Sequence, residues 1–426
     1  MKLTPEEQDI LDGKQGEVLA KVMKTLVMYG DAFGAEKFVP APGPAHLVTS
    51  FGLSVMTATF DLMDELIAAG VKAQKPFTVD PRPLDPENVP AGLLQKIVFG
   101  VMYGKQNDYE EQLRRLGLKD DNAFTCACYM DEVGNVPQRG QVLSWAESSA
   151  VVYANSVLGA RCNRNSAFID IFGAILGKVP YFGLLTDEGR RATWVIDIRT
   201  SKIPEAQVLG SAIGLKVMED VPYIKGLDAF LGRELNEDAR SYLKDMGAAS
   251  ASNGAVGLYH VENLTPEAVE LGDSLIAEGA RTYVIDDAEL DRVRRSYPVI
   301  WKDPDAKPKL CFIGCPHLSE NQLIRWTERL EEALRAVGRS KLRLKTVFTA
   351  PPDVLAQFQK TPYAARLRAM GGRLSYICPL MYMNNPLCKS MPVVTNSNKL
   401  RTYTSARYYT DEAITNLLTK GGADNG

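Results

Sequence analysis

The chain has 426 residues, 45% of them apolar and 24% charged, with a formal net charge of -3. That exceeds the roughly 250–300 residues one hydrophobic core sustains, so more than one packed lobe is expected. The near-neutral balance without a long basic run argues against a nucleic-acid or membrane-surface partner, and no stretch of about 18 uncharged apolar residues offers a bilayer span.

The first residues, MKLTPEEQDILDG, lack the apolar core of an export signal. The seven cysteines are therefore read as thiols of a reducing, cytoplasmic compartment: buried groups, catalytic groups or metal ligands rather than disulfides. The three histidines, His46, His260 and His317, are too few for a histidine-rich metal site.

Thr4 with Glu7 forms a capping box, opening a helical region that runs, with a break near Gly13, through GEVLAKVMKTLVMYGDAFG. KFVPA reads as a strand, and His46 follows in the Gly- and Pro-rich loop PGPAHLVTSFG. SVMTATFDLMDELIAAG is an amphipathic helix ended by Gly70, and the proline-rich KPFTVDPRPLDPENVPAG is a loop. ESSAVVYANSVLG and SAFIDIFGAILG are short, mostly buried helices, each ending in glycine, joined by the polar turn ARCNRN. ATWVIDI is a buried strand. GLYHV, TYVID, LCFIG, LRLKTVF and RLSYI follow as strands, with helices such as LTPEAVELGDSLIAEG and SENQLIRWTERLEEALRAVG between them.

This alternation predicts an α/β fold with a mostly parallel sheet. Divisions near Ile198–Pro204 and at WKDPDAKPK give lobes 1–200, 201–303 and 304–420, with a disordered tail at 421–426.

Ligands of α/β sheets collect beyond the carboxyl ends of strands. LCFIG runs into Cys315-Pro and RLSYI into Cys378-Pro, each read as strand, Cys-Pro, then loop, with the thiolate left exposed at the sheet edge. FTCACYM offers Cys126 and Cys128 after a polar turn. Three thiolates from separate strand ends can hold an iron–sulfur cluster with one iron open as a Lewis acid. Buried structural thiols are the alternative for each cysteine, and Cys311, inside an apolar strand, reads as core. A rival metal reading uses the thiolates and His317 around a single ion.

Two polar runs stand out. SWAESSAVVYANSVLGARCNRNS carries Glu147, Ser148, Ser149, Asn155, Ser156, Arg161, Asn163 and Arg164 in an otherwise apolar stretch. Glu147 to Ser149 suit a helix cap, Asn155 and Ser156 need partners if buried, and Arg161 and Arg164 suit a carboxylate clamp or a solvated surface. VVTNSNKLRTYT ends a strand in Thr395-Asn396-Ser397-Asn398-Lys399, a turn able to take an anion or simply to cap a helix.

Taken together, GAEKFVPAPGPAHL, FTCACYMDEVGNVPQRGQ, SWAESSAVVYANSVLGARCNR, FIGCPHLSENQL, YICPL and VVTNSNK resemble the aconitase X family over nearly the whole chain. The resemblance implies an aconitase-like catalytic subunit of three α/β lobes around a central cleft, acting as a hydro-lyase on a small hydroxy acid. It implies a 4Fe-4S or 2Fe-2S cluster on Cys126, Cys315 and Cys378, with Cys128 open as the alternative to Cys126. The family's swivel domain, which is expected to carry the serine base, has no room in this chain and is inferred to be a separate small subunit.

His46, Glu147, Asn155, Arg161, Asn163, Thr395, Asn396 and Ser397 are then expected to bind substrate, and Ser148, Ser149 and Lys399 to serve catalysis. Family members act on cis-3-hydroxy-L-proline in bacteria and on mevalonate 5-phosphate in archaea. A composition without dense Lys and Glu enrichment leans toward the first. An RNA-binding regulator derived from an aconitase is the non-enzyme alternative.

Overall fold

The computed structural model of the chain describes residues 1–48 and 52–421, so part of the PGPAHLVTSFG loop and all but the first residue of the tail expected at 421–426 lie outside the described residues. The first region is mostly helical. The capping box at Thr4 is present and opens helix Pro5–Leu11; helix Glu17–Ala32 follows after Gly13, whose positive φ breaks the run. Strands here are short: β1 (Phe38–Pro40), β2 (His46–Leu47), β3 (Thr78–Val79) and β4 (Lys178–Pro180). β1 pairs with β4 antiparallel and β2 with β3 in parallel. His46 therefore lies in a buried strand rather than in a loop, because Thr78 and Trp145 bridge its backbone on either side.

The second region forms a four-stranded parallel sheet in the order β7-β6-β5-β8. Its strands are β5 (Ala192–Ile198), β6 (Pro222–Lys225), β7 (His260–Val261) and β8 (Ile276–Ile285). The sheet begins at Ala192, ahead of the division expected near Ile198–Pro204. One expected helix is corrected. LTPEAVELGDSLIAEG is α-helical only over Pro266–Leu271, because Gly272 turns the chain at φ 53° into a single 3-10 turn, Gly272–Leu275, and Ile276 joins β8 beside β5.

The third region is a five-stranded parallel sheet in the order β11-β10-β9-β12-β13. It comprises β9 (Leu310–Ile313), β10 (Thr346–Thr349), β11 (Gly372–Ser375), β12 (Val393–Thr395) and β13 (Arg407–Tyr408). Among the described residues no helix is long and apolar enough to cross a membrane.

Helix Ser148–Ser156 is the hinge of the architecture. It is buried from Ser149 to Ser156, as a helix without a polar face must be. Its Val151 and Val152 pack with Leu209, Ile213, Leu243 and Met246 of the second region. The second region's helices Ala206–Val217 and Glu237–Asn253 approach closely at Gly210, where a Cβ would lie 2.1 Å from the Met246 carbonyl. The first and second regions thus share one core, and the site forms between the first region and the third, whose residues line its cavity.

Candidate active site

Three cysteine-bearing loops, far apart in the chain, face one cavity of about 250 Å³. Cys126 follows Phe124, which bridges to β3; Cys315 follows β9; Cys378 follows β11. Gly314, at φ 110°, lets the chain turn before Cys315, since a Cβ there would sit 2.4 Å from the Thr349 carbonyl. β9 is the middle strand, so Cys315 is 8% exposed rather than open at a sheet edge as expected. After Cys378 the chain enters helix Pro379–Met383 instead of a loop, with Pro379 in its first turn. Cys128 has no accessible surface and packs in the core with Trp145, leaving Cys126 as the cysteine of that pair that lines the cavity.

Burial pushes the Cys126, Cys315 and Cys378 thiols above their ordinary range, while the Lys399 ammonium pulls each back. Ser397 hydrogen-bonds Cys315 in the same sense. Such thiols are neutral alone and become thiolates against a cationic group. Among the described residues no three His, Cys, Asp or Glu side chains stand close enough to share one ion. Both ring nitrogens of His317 are engaged, by Thr125 Oγ1 at 3.0 Å and the Ile377 carbonyl at 3.1 Å, which removes it as a donor to a single metal. Soft thiols spread around a cavity are the donor type that would suit an iron–sulfur cluster, which they would hold.

Opposite the thiols, two helix starts meet. Glu147 caps helix Ser148–Ser156, accepting from Ala150 N–H at 2.6 Å and from Ser149 Oγ at 2.7 Å. Its other oxygen takes Lys399 Nζ, which also donates to Ser148 Oγ at 3.2 Å. Burial opposes the Glu147 charge, but Lys399 and these hydrogen bonds hold its carboxyl at about 2. Burial likewise opposes the Lys399 charge, and Glu147 overcomes it, holding Lys399 above the ordinary lysine range. Ser397 caps the helix Asn398–Tyr403 that presents Lys399.

His46 lies behind this pair without lining the cavity. Burial lowers it to about 4, its Nδ1 is 2.9 Å from Thr78 Oγ1, and its Nε2 has no hydrogen-bond partner among the described residues.

Several expected substrate ligands are not brought to the cavity, because each already braces a joint. Asn155 donates to the Cys162 and Gly257 carbonyls, both at 2.8 Å, and accepts from Cys162 N–H at 2.9 Å. Arg161 is held by the Leu185 carbonyl and Asp187. Asn163 bridges Phe182 and Leu184, and Asn396 donates to Asp411. Thr395 accepts from Ser397 N–H within its own turn. Asn398 faces Gln207 and Tyr297, away from the cavity.

Two lining residues with polar side chains were not anticipated: Tyr403 and Asp80. Asp80-Pro81 follows β3 as the Cys-Pro pairs follow β9 and β11, but β3 is too short to show as a strand in the sequence.

The family models "Aconitase X first domain" and "Aconitase X second domain" match residues 1–188 and 192–295. The phosphomevalonate dehydratase large subunit of Thermococcus kodakarensis is 31% identical over 88% of this chain and 87% of its own. The cis-3-hydroxy-L-proline dehydratase of Pseudomonas aeruginosa is 28% identical over 94% of this chain, which covers 66% of that longer protein. A crystal structure of Thermococcus kodakaraensis aconitase X in its holo-form superposes with a TM-score of 0.80 at 30% identity, over 99% of this chain and 100% of that one. The expected α/β architecture with parallel sheets is the one found, and the chain belongs to the aconitase X family as one of its dehydratases, a hydro-lyase.

Proposed function

We propose that the chain is the catalytic large subunit of an iron–sulfur-dependent dehydratase of cis-3-hydroxy-L-proline, yielding Δ1-pyrroline-2-carboxylate. The observation that carries this reading is the cavity's inventory: three thiols, the carboxylates Asp80 and Glu147, and the ammonium of Lys399. Among the described lining residues, one cation against two carboxylates suits a zwitterion better than a substrate with both a carboxylate and a phosphate.

Cys126, Cys315 and Cys378 hold the cluster, of the 4Fe-4S or 2Fe-2S kind. When bound, it supplies Lewis acidity that makes the β-hydroxyl a better leaving group. Lys399 and the Ser148 hydroxyl receive the substrate carboxylate, and Glu147 keeps Lys399 charged and aimed. Ser149 fixes the Glu147 carboxylate. Asp80 faces the ring ammonium. A separate small swivel subunit closes the cavity and brings the serine that removes the α-proton, which leaves this chain inactive alone.

Mevalonate 5-phosphate is the second reading, favoured by the 31% identity to a subunit of that dehydratase. The test is the large–small subunit complex, purified without oxygen and offered both substrates in parallel. Formation of Δ1-pyrroline-2-carboxylate is expected. Turnover of the phosphate ester alone reassigns the substrate, and a colourless, iron-free complex that dehydrates either one removes the cluster from the scheme.

A further inference from the structure

The three cysteine loops converge on one side chain that the chemistry above leaves unused. His317 is 1% exposed. Its Nδ1 lies 3.0 Å from Thr125 Oγ1, beside Cys126, and its Nε2 lies 3.1 Å from the carbonyl of Ile377, beside Cys378. Its backbone N–H donates to Cys126 Sγ at 3.4 Å, and it follows the Cys315-Pro316 step directly. A carbonyl only accepts, so Nε2 carries the proton and Nδ1 accepts from the Thr125 hydroxyl. Thr125 Oγ1 accepts in turn from Ala127 N–H at 3.0 Å, so the chain is pinned on both sides of Cys126.

The hub is also anchored from outside. Lys244, 3% exposed on helix Glu237–Asn253, donates to the His317 carbonyl at 2.8 Å. Its neighbour Asp245 accepts from Gln322 Nε2 at 2.9 Å, gripping the chain just beyond the hub.

We propose that His317 is the positioning residue of the cluster site, locking the three cysteine loops in register through its two ring hydrogen bonds, with Lys244 tying that lock to the second lobe. The proposal rests on the reading of Cys126, Cys315 and Cys378 as cluster ligands. A histidine that merely fills space is replaceable by a side chain of similar volume; a lock depends on its individual hydrogen bonds. Removing a partner that orients metal ligands weakens metal binding by about 10–100-fold.

The test uses the two-subunit complex purified without oxygen. Iron and sulfide are counted, and the visible absorbance is followed during challenge with an iron chelator. His317→Gln keeps a donor toward Ile377 only, His317→Asn keeps an acceptor toward Thr125 only, and Thr125→Val removes the Nδ1 bond together with the Ala127 N–H bond while leaving the ring intact. Each is expected to release iron about 10–100-fold faster than wild type, with a shifted electron paramagnetic resonance signature. Thr125→Ser, which restores the hydroxyl, is expected to hold the cluster.

Thermal melting of the iron-free chains reports folding, and if the His317 variants do not fold, the Thr125 pair decides. Wild-type release rates and spectra in Thr125→Val and in the folded His317 variants overturn the lock. A wild-type complex without iron or sulfide instead defeats the cluster reading, and the lock with it.

Discussion

Lys399→Met tests how the cavity is held charged. The side chains of Lys399 and Glu147 are 14% and 4% exposed, so solvent screens the pair little. The substitution leaves Glu147 buried without a counter-charge, still accepting from Ala150 and Ser149. Breaking a buried pair from one side costs about 3–5 kcal/mol, and the two surviving hydrogen bonds place this case near 3 kcal/mol. Adding Glu147→Gln removes the stranded charge and keeps an acceptor for the helix start, so the double variant regains about 2 kcal/mol or more.

Urea unfolding of the iron-free chain at pH 7 measures all four corners of the cycle. The sign with pH is fixed too. The Glu147 carboxyl is depressed to about 2, so its contribution is fully present above the ordinary carboxylate range and is lost as pH falls through about 2. Lys399→Met weakens that acid limb. A coupling below about 0.5 kcal/mol refutes the idea that these charges hold each other in place.

Other outcomes follow from the same geometry. Cys126→Ala is expected to abolish iron retention, whereas Cys128→Ala keeps the metal and costs only about 1–2 kcal/mol of stability for the small cavity left in the core; iron counts and urea midpoints read both. Burial, reinforced by the Asp411 charge, raises the Glu205 carboxyl to about 7, so its contribution to stability is greatest below the unfolded carboxylate range and is lost as pH rises to about 7. Glu205→Gln should flatten that limb, whose slope is at most about 1.4 kcal/mol per pH unit, in melts across pH 4 to about 8. Asn155→Ala strands buried donors and acceptors worth about 3 kcal/mol, yet leaves KM unchanged in the complex that remains folded; a raised KM would return Asn155 to the substrate.

The parts of this architecture that were readable in sequence are those with a local cause. A run of apolar residues closed by Cys-Pro is a strand end wherever it folds, so Cys315 and Cys378 could be placed before any coordinates. The capping box at Thr4 and the glycine stops at Gly70 and Gly177 are equally local. Asp80 was missed because β3 is only two residues long, too short to show a period. His46 was misread for the same reason, its strand β2 being equally brief. The end of LTPEAVELGDSLIAEG went wrong because pairing with β5, a contact distant in sequence, overrides the helical pattern after Gly272. Asn155, Arg161 and Asn163 expose a deeper ambiguity. A polar residue in an apolar helix or turn demands a partner, but whether that partner is a substrate or another loop depends on packing no local pattern records.

That ambiguity is resolved along a single segment. Its leading end, Glu147 to Ser149, points into the cavity or fixes what does; its trailing end, from Asn155 to Asn163, stitches the first region to the loops around Leu184 and Gly257. The division has an electrostatic consequence. Lys399 sits in the first turn of its helix, where the dipole favours anions and disfavours an ammonium. Glu147 sits at the start of another helix, where the dipole favours its charge. The pair therefore joins a well-placed anion to a poorly placed cation. Lys399 lines the cavity, so the side of the pair left wanting negative charge is the one that faces it.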